Sequence, residues 1–133
     1  MDRKLTHLGF VQAVVNRLST NSFLLKGWSV VIVSALFALS ANSANVRFVL
    51  LAYIPAVVFW GLDGYFLGLE RVYRKHYDRI RTKSPDEIDF SMDASDLQEG
   101  FSEWLAATGS KTLVAFHGAV VGSIVLVMLI QMK

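Results

Sequence analysis

No cysteine occurs in the chain, which excludes both a disulfide framework and a thiolate metal site. Proline is nearly absent too, with two residues, Pro55 and Pro85. Charged residues make up 18% against 53% hydrophobic. No HExxH, GxSxG, phosphate-binding loop or GxGxxG run is present, so the common hydrolytic and nucleotide-handling signatures are missing. His7, His76 and His117 are far apart and fall on different elements. The acidic run Asp86, Glu87, Asp89, Asp93, Asp96, Glu99 lacks the glycine and ligand spacing of a calcium loop and reads as a solvated linker. We expect no enzyme activity, no metal and no cofactor.

Charge is missing above all from three long apolar stretches. Leu113 to Met132 is 20 residues without a charge, Phe23 to Ala41 carries only Lys26, and Phe48 to Leu69 carries only Asp63. A helix rises about 1.5 Å per residue and a bilayer core is about 30 Å thick, so about 20 apolar residues make a crossing. Three such segments cannot hide inside a soluble domain of 133 residues. The chain reads as an all-α integral membrane protein with three transmembrane helices. The 22 patterned residues before the first stretch argue against a cleaved signal peptide.

Residues 1–22 form an expected amphipathic helix with Leu5, Leu8, Val11, Val14, Val15 and Leu18 on one stripe. That stripe suits either the membrane interface or another part of the assembly. Ser19-Thr20-Asn21-Ser22 should interrupt it, since such residues cap helices. A hairpin over 23–69 follows, with spans at 23–41 and 46–69 joined by Asn42-Ser43-Ala44-Asn45. Phe48 to Leu62 is 15 residues, about 22 Å of helix. The second span therefore has to run through Asp63 and Gly64, with Pro55 kinking it. Segment 70–111 holds a basic helix, ended by Ser84-Pro85, an acidic linker, and a short amphipathic helix over Phe101 to Ala107. Thr108 to Lys111 is a hinge into a third span at 112–133.

Arg47 is alone in the first turn, while Arg17, Lys26, Arg71, Arg74, Lys75, Arg79, Arg81, Lys83 and Lys111 lie on the other side. The positive-inside rule then places the N-terminus and 70–111 in the cytosol and Lys133 outside.

Asp63 is the most pointed residue, because a charge at membrane depth costs about 3 kcal/mol on insertion scales. It either pairs with Arg71, Arg74 or Lys26 at headgroup level or belongs to a carboxylate ring in a water-filled path. His117 reads as a packed or hydrogen-bonded interior histidine. Gly64 and Gly68, Gly118 and Gly122, and Ser34 and Ala38 are each four apart, a spacing that lets helix backbones approach. A three-helix protomer buries few faces, so a homo-oligomer, taken as a tetramer, is expected. The basic block Arg71, Arg74, Lys75, Arg79, Arg81, Lys83 is either a topology signal or a receptor for an anionic nucleotide or short oligonucleotide. Tyr73, His76 and Tyr77 would supply stacking faces, and Asp86, Glu87 and Asp89 would be an internal competitor.

The strings Asn21-Ser22-Phe23-Leu24-Leu25-Lys26-Gly27-Trp28 and Phe59-Trp60-Gly61-Leu62-Asp63-Gly64-Tyr65, with Glu70-Arg71, Tyr73-Arg74-Lys75 and Asp86 to Asp93, resemble a family of small bacterial membrane proteins. Similar proteins accompany anti-phage defence modules that pair a nucleotidyltransferase with a membrane effector, such as the Hailong type. The resemblance implies an inner-membrane effector that oligomerises and depolarises the cell, with a nucleotidyltransferase-type partner. The expected function is thus a homo-oligomeric pore gated from the cytosol, with Asp63, Pro55, Gly64 and Gly68 at the pore or gate. The alternative is a membrane adaptor that docks an enzyme on Val72, Tyr73, Tyr77 and Ile80 with Phe101 and Trp104.

Overall fold

The computed structural model describes residues 2–43, 45–98 and 100–132. Ala44 of the expected turn, Glu99 of the acidic run and Lys133 at the expected outer end lie outside these. The described residues are almost all helical: α1 (Asp2–Ser43), α2 (Val46–Leu51), α3 (Tyr53–Arg81), α4 (Phe101–Thr108) and α5 (Lys111–Gln131). Three helices are long and apolar enough to cross a membrane: α1, the α2–α3 unit (Val46–Arg81), and α5.

The expected interruption at Ser19 to Ser22 does not occur. Helix α1 is continuous for 42 residues, about 63 Å. Its polar residues find other partners than a cap. Ser19 and Ser22 donate to Glu70 and Asp63 on α3, and Thr20 Oγ1 donates to the Asn16 carbonyl at 3.0 Å. The stripe Val11, Val15, Leu18 is buried against α3, so the N-terminal part of α1 packs on its own chain. Together with the end of α3 it forms a two-helix stalk.

The second long unit starts where expected, at Val46, with the Asn45 side chain accepting from the Arg47 N–H at 3.0 Å. Pro55 has no N–H and crowds the carbonyl four residues back, that of Leu51. The helix is interrupted next to that carbonyl, at Ala52, whose N–H bonds Val49 O at 3.1 Å. The break thus precedes the proline. Beyond it α3 runs unbroken through Asp63 to Arg81.

Val33, Val49, Ala52, Ala56 and Ile124 form one apolar core between the long helices at the hairpin end. Ser40 Oγ donates to Gln131 Oε1 at 2.6 Å there, joining the turn to the end of α5. A second core, Val11, Ile80 and Ile88, lies in the stalk. Residues 88–94 cross the stalk as a strap without regular secondary structure. Ile88 and Ala94 are buried, Phe90, Ser91 and Met92 half-buried, and Asp89 and Asp93 exposed.

Candidate functional site: a buried charge cluster beneath a polar cleft

Three helices converge on one carboxylate. Asp63 on α3 is fully buried. Lys26 Nζ on α1 lies 2.6 Å from its Oδ2, and His117 Nε2 on α5 lies 2.8 Å from the same oxygen. Ser22 donates to Oδ1, and Lys26 Nζ also donates to Ser22 Oγ at 2.8 Å. A carboxylate only accepts, so His117 carries its proton on Nε2. Aromatic rings enclose the cluster: Trp60 stacks on His117 with centroids 5.8 Å apart, and Phe116 lies 5.9 Å from Lys26 Nζ. Lone charges are expelled from such surroundings, and removing one partner of a buried pair typically costs 3–5 kcal/mol.

Of the three expected cations, Lys26 is the one that pairs with Asp63. The partners the carboxylate meets, Lys26, His117 and Ser22, all belong to its own chain. His117 is the hydrogen-bonded interior histidine expected, with Asp63 as partner.

On the stalk side the cluster opens into a cleft of about 300 Å³ between α1, α3 and the start of α5. Ser22 and Lys26 belong to both cluster and cleft, and Ser19, Glu70, Arg71, Ser110 and Thr112 make the remaining polar lining. On the hairpin side the next layer is the apolar core of Val33, Val49, Ala52, Ala56 and Ile124.

Gly64 and Gly68 serve contacts within the chain. A Cβ on Gly64 would meet Thr108 Cβ at 3.2 Å and Cα at 3.3 Å, and one on Gly68 would meet Glu103 at 3.8 Å. Helix α4 therefore seats on the Gly61–Gly64–Gly68 face of α3. Two indoles hold it there: Trp104 Nε1 donates to Gly61 O at 2.9 Å and Trp60 Nε1 to Thr108 O at 3.0 Å. At Gly118 and Gly122 a Cβ would meet nothing within 4 Å.

The expected ligand residues do not make one open surface. Arg71 lines the cleft. Arg74 is exposed and sits 3.7 Å from Glu70. Lys75 is exposed. Arg79 pairs with Asp96 and reaches His76 Nδ1 at 2.6 Å. Tyr73 OH donates to Met92 O at 3.2 Å, and Tyr73 and Tyr77 pack under the strap. Asp86, Glu87 and Asp89 are exposed, and among the described residues none forms an ion pair with Arg71, Arg74 or Arg79. Glu87 accepts from Ser84 Oγ at 3.0 Å, and Asp89 from the Ser91 N–H at 3.0 Å. Asp96, just beyond the strap, is the acid that pairs with Arg79.

The strap is clasped instead by two buried histidines. His7 Nε2 on α1 and His76 Nε2 on α3 each lie 2.8 Å from the Ser91 carbonyl. A carbonyl only accepts, so both nitrogens donate to it. The Ser91 N–H holds the Asp89 carboxyl below its usual value, and the Ser95 side chain and N–H do the same for Asp93. The sequence offers His76 as a stacking face for a ligand, not as a partner of His7, which is 69 positions away. The available signal was their place on two apolar stripes.

No family model, curated protein or solved structure matches this chain.

Proposed function

We propose that the chain is the subunit of a homo-oligomeric membrane pore gated from its cytosolic side. The observation that carries this reading is Asp63, a buried carboxylate shared by Lys26 and His117 at the floor of a polar cleft. Ionisable groups at membrane depth are expensive and commonly mark ion pathways. Here the lipid-embedded part is taken as the hairpin and α5, with the stalk in the cytosol, as the lysine and arginine bias indicates.

In this reading the cleft is the inner vestibule and the charge cluster its floor. The apolar core around Val33 and Ile124 holds the outer half shut, as dewetted apolar constrictions do. Opening requires the long helices to tilt, which the interruption at Ala52 permits, and further copies complete the pathway. The strap across the stalk is the element a cytosolic signal would act on. The resemblance adds depolarisation in anti-phage defence, with a nucleotide or oligonucleotide signal.

The adaptor reading loses most of its docking face. Val72 and Ile80 are buried, and Tyr73 and Tyr77 lie beneath the strap.

Planar-bilayer recording separates the two. Ile88→Asp, which expels the strap's buried anchor, should conduct more than the unmodified chain, and adding Asp63→Asn should shift the reversal potential. Silence from both the unmodified chain and Ile88→Asp would end the pore reading, and an unchanged reversal potential would remove Asp63 from the path.

A further inference from the structure

The cleft holds a cation without a bonded partner. Lys26 pairs with Asp63, and Glu70 accepts from Ser19 and lies 3.7 Å from Arg74. Arg71 is half-buried in the cleft wall with no ion-pair or hydrogen-bond partner among the described residues. Its planar group carries five donors suited to a phosphate.

The rest of the lining matches such a group. Ser22, Ser110 and Thr112 line the same space. Helix α5, 21 residues long, begins there and turns the positive end of its dipole toward it. Leu18, Leu67 and Leu113 supply apolar walls beside these groups. An unpartnered guanidinium calls for an anionic group, and leucines beside hydroxyls call for an amphiphile.

We propose that this cleft binds the phosphodiester of a membrane phospholipid, with the phosphate on Arg71, Ser110 and Thr112 and the glycerol end against the leucines. A bound phosphate would also compete with Asp63 for Lys26 and Ser22, coupling the lipid to the charge cluster. The proposal needs the chain to lie in lipid but does not need it to conduct.

The test is thermal melting of the full chain in neutral detergent, where conduction plays no part. Phosphatidylglycerol should raise Tm in a saturable way, while diacylglycerol, which lacks the phosphate, should not. Arg71→Gln should weaken the phosphatidylglycerol effect about tenfold, the scale of losing one charge-assisted contact. Arg81→Gln, exposed on the stalk beside Asp78 and away from the cleft, should leave it unchanged. Equal responses to phosphatidylglycerol and diacylglycerol, or equal weakening by both arginine variants, would overturn the site. Inorganic phosphate raising Tm as much as the lipid would overturn the lipid as its occupant. Native mass spectrometry of lipid retained by Arg71→Gln gives a readout independent of any change in fold stability.

Discussion

Gly64 has no room for a methyl group, because the backbone of Thr108 stands against it. Gly118, with the same residue type and a similar spacing motif, has open space around it. Gly64→Ala should therefore lower the melting temperature in detergent, by an overpacking cost of about 1–3 kcal/mol, whereas Gly118→Ala should not. Circular dichroism melts of the two variants check this. The Gly64–Gly68 face is thus occupied by α4 and is not open to a second copy. The glycine spacing was legible in the sequence as a packing signal, but not its partner, since the sequence does not say that α4 folds back beside the span. Asp63 has the same history. Its cost inside an apolar run singles it out, and Lys26 stood among its three candidate partners. His117 joins it only through the register of α5 against α3, which two uniformly apolar helices do not encode.

The strap is the element that a helix-centred reading leaves out. Its alternation of Ile88, Phe90, Met92 and Ala94 with acidic residues is visible in the sequence, yet the acidity dominates and suggests a solvated linker. Phe90 sits at φ +56°, a left-handed conformation uncommon for bulky residues. Its ring offsets that strain by lying 5.6 Å from His7, 6.1 Å from Phe10 and 5.6 Å from the Arg3 guanidinium. The turns on either side rest on Asp89 and Asp93, both with lowered pKa. A carboxylate whose folded pKa is depressed stabilises above the unfolded value, about 3.9 for Asp, and that contribution goes as pH falls through the folded value. Hydrogen-exchange protection of the Ser91 and Ser95 amides, corrected for the intrinsic rate, should accordingly hold steady between pH 7 and 5 and fall below about pH 4. Loss of protection already complete at pH 5 would show that these carboxylates do not hold the strap. At the level of elements, the amphipathic stripes of α1 and α3 were legible, and so were α2's start and α4's extent. The continuity of α1 was not. Ser19 to Ser22 read as a cap because capping is what such residues do when alone, and here α3 supplies Glu70 and Asp63 as partners.

For the whole molecule, the decisive arrangement is that both long units extend past the length of a bilayer at the same end. Helix α1 has 42 residues and the α2–α3 unit 36, about 63 and 54 Å, against a core of about 30 Å. In the proposed insertion the excess is the stalk, and a displacement of the strap acts on the same continuous helices. At the opposite end, the bond between Ser40 and Gln131 brings the hairpin turn and the end of α5 together. The proposed three crossings would put those two on one side of the membrane and the stalk on the other. The absence of cysteine makes this directly measurable, since any introduced thiol is the only one. Ser43→Cys and Met132→Cys, both at exposed positions, should react with a membrane-impermeant maleimide added to intact cells. Gln12→Cys and Thr82→Cys, exposed on the stalk, should react only after permeabilisation. Labelling of Met132→Cys and Gln12→Cys from the same side would mean an even number of crossings, and neither the vestibule nor the cytosolic strap could then stand where they are placed.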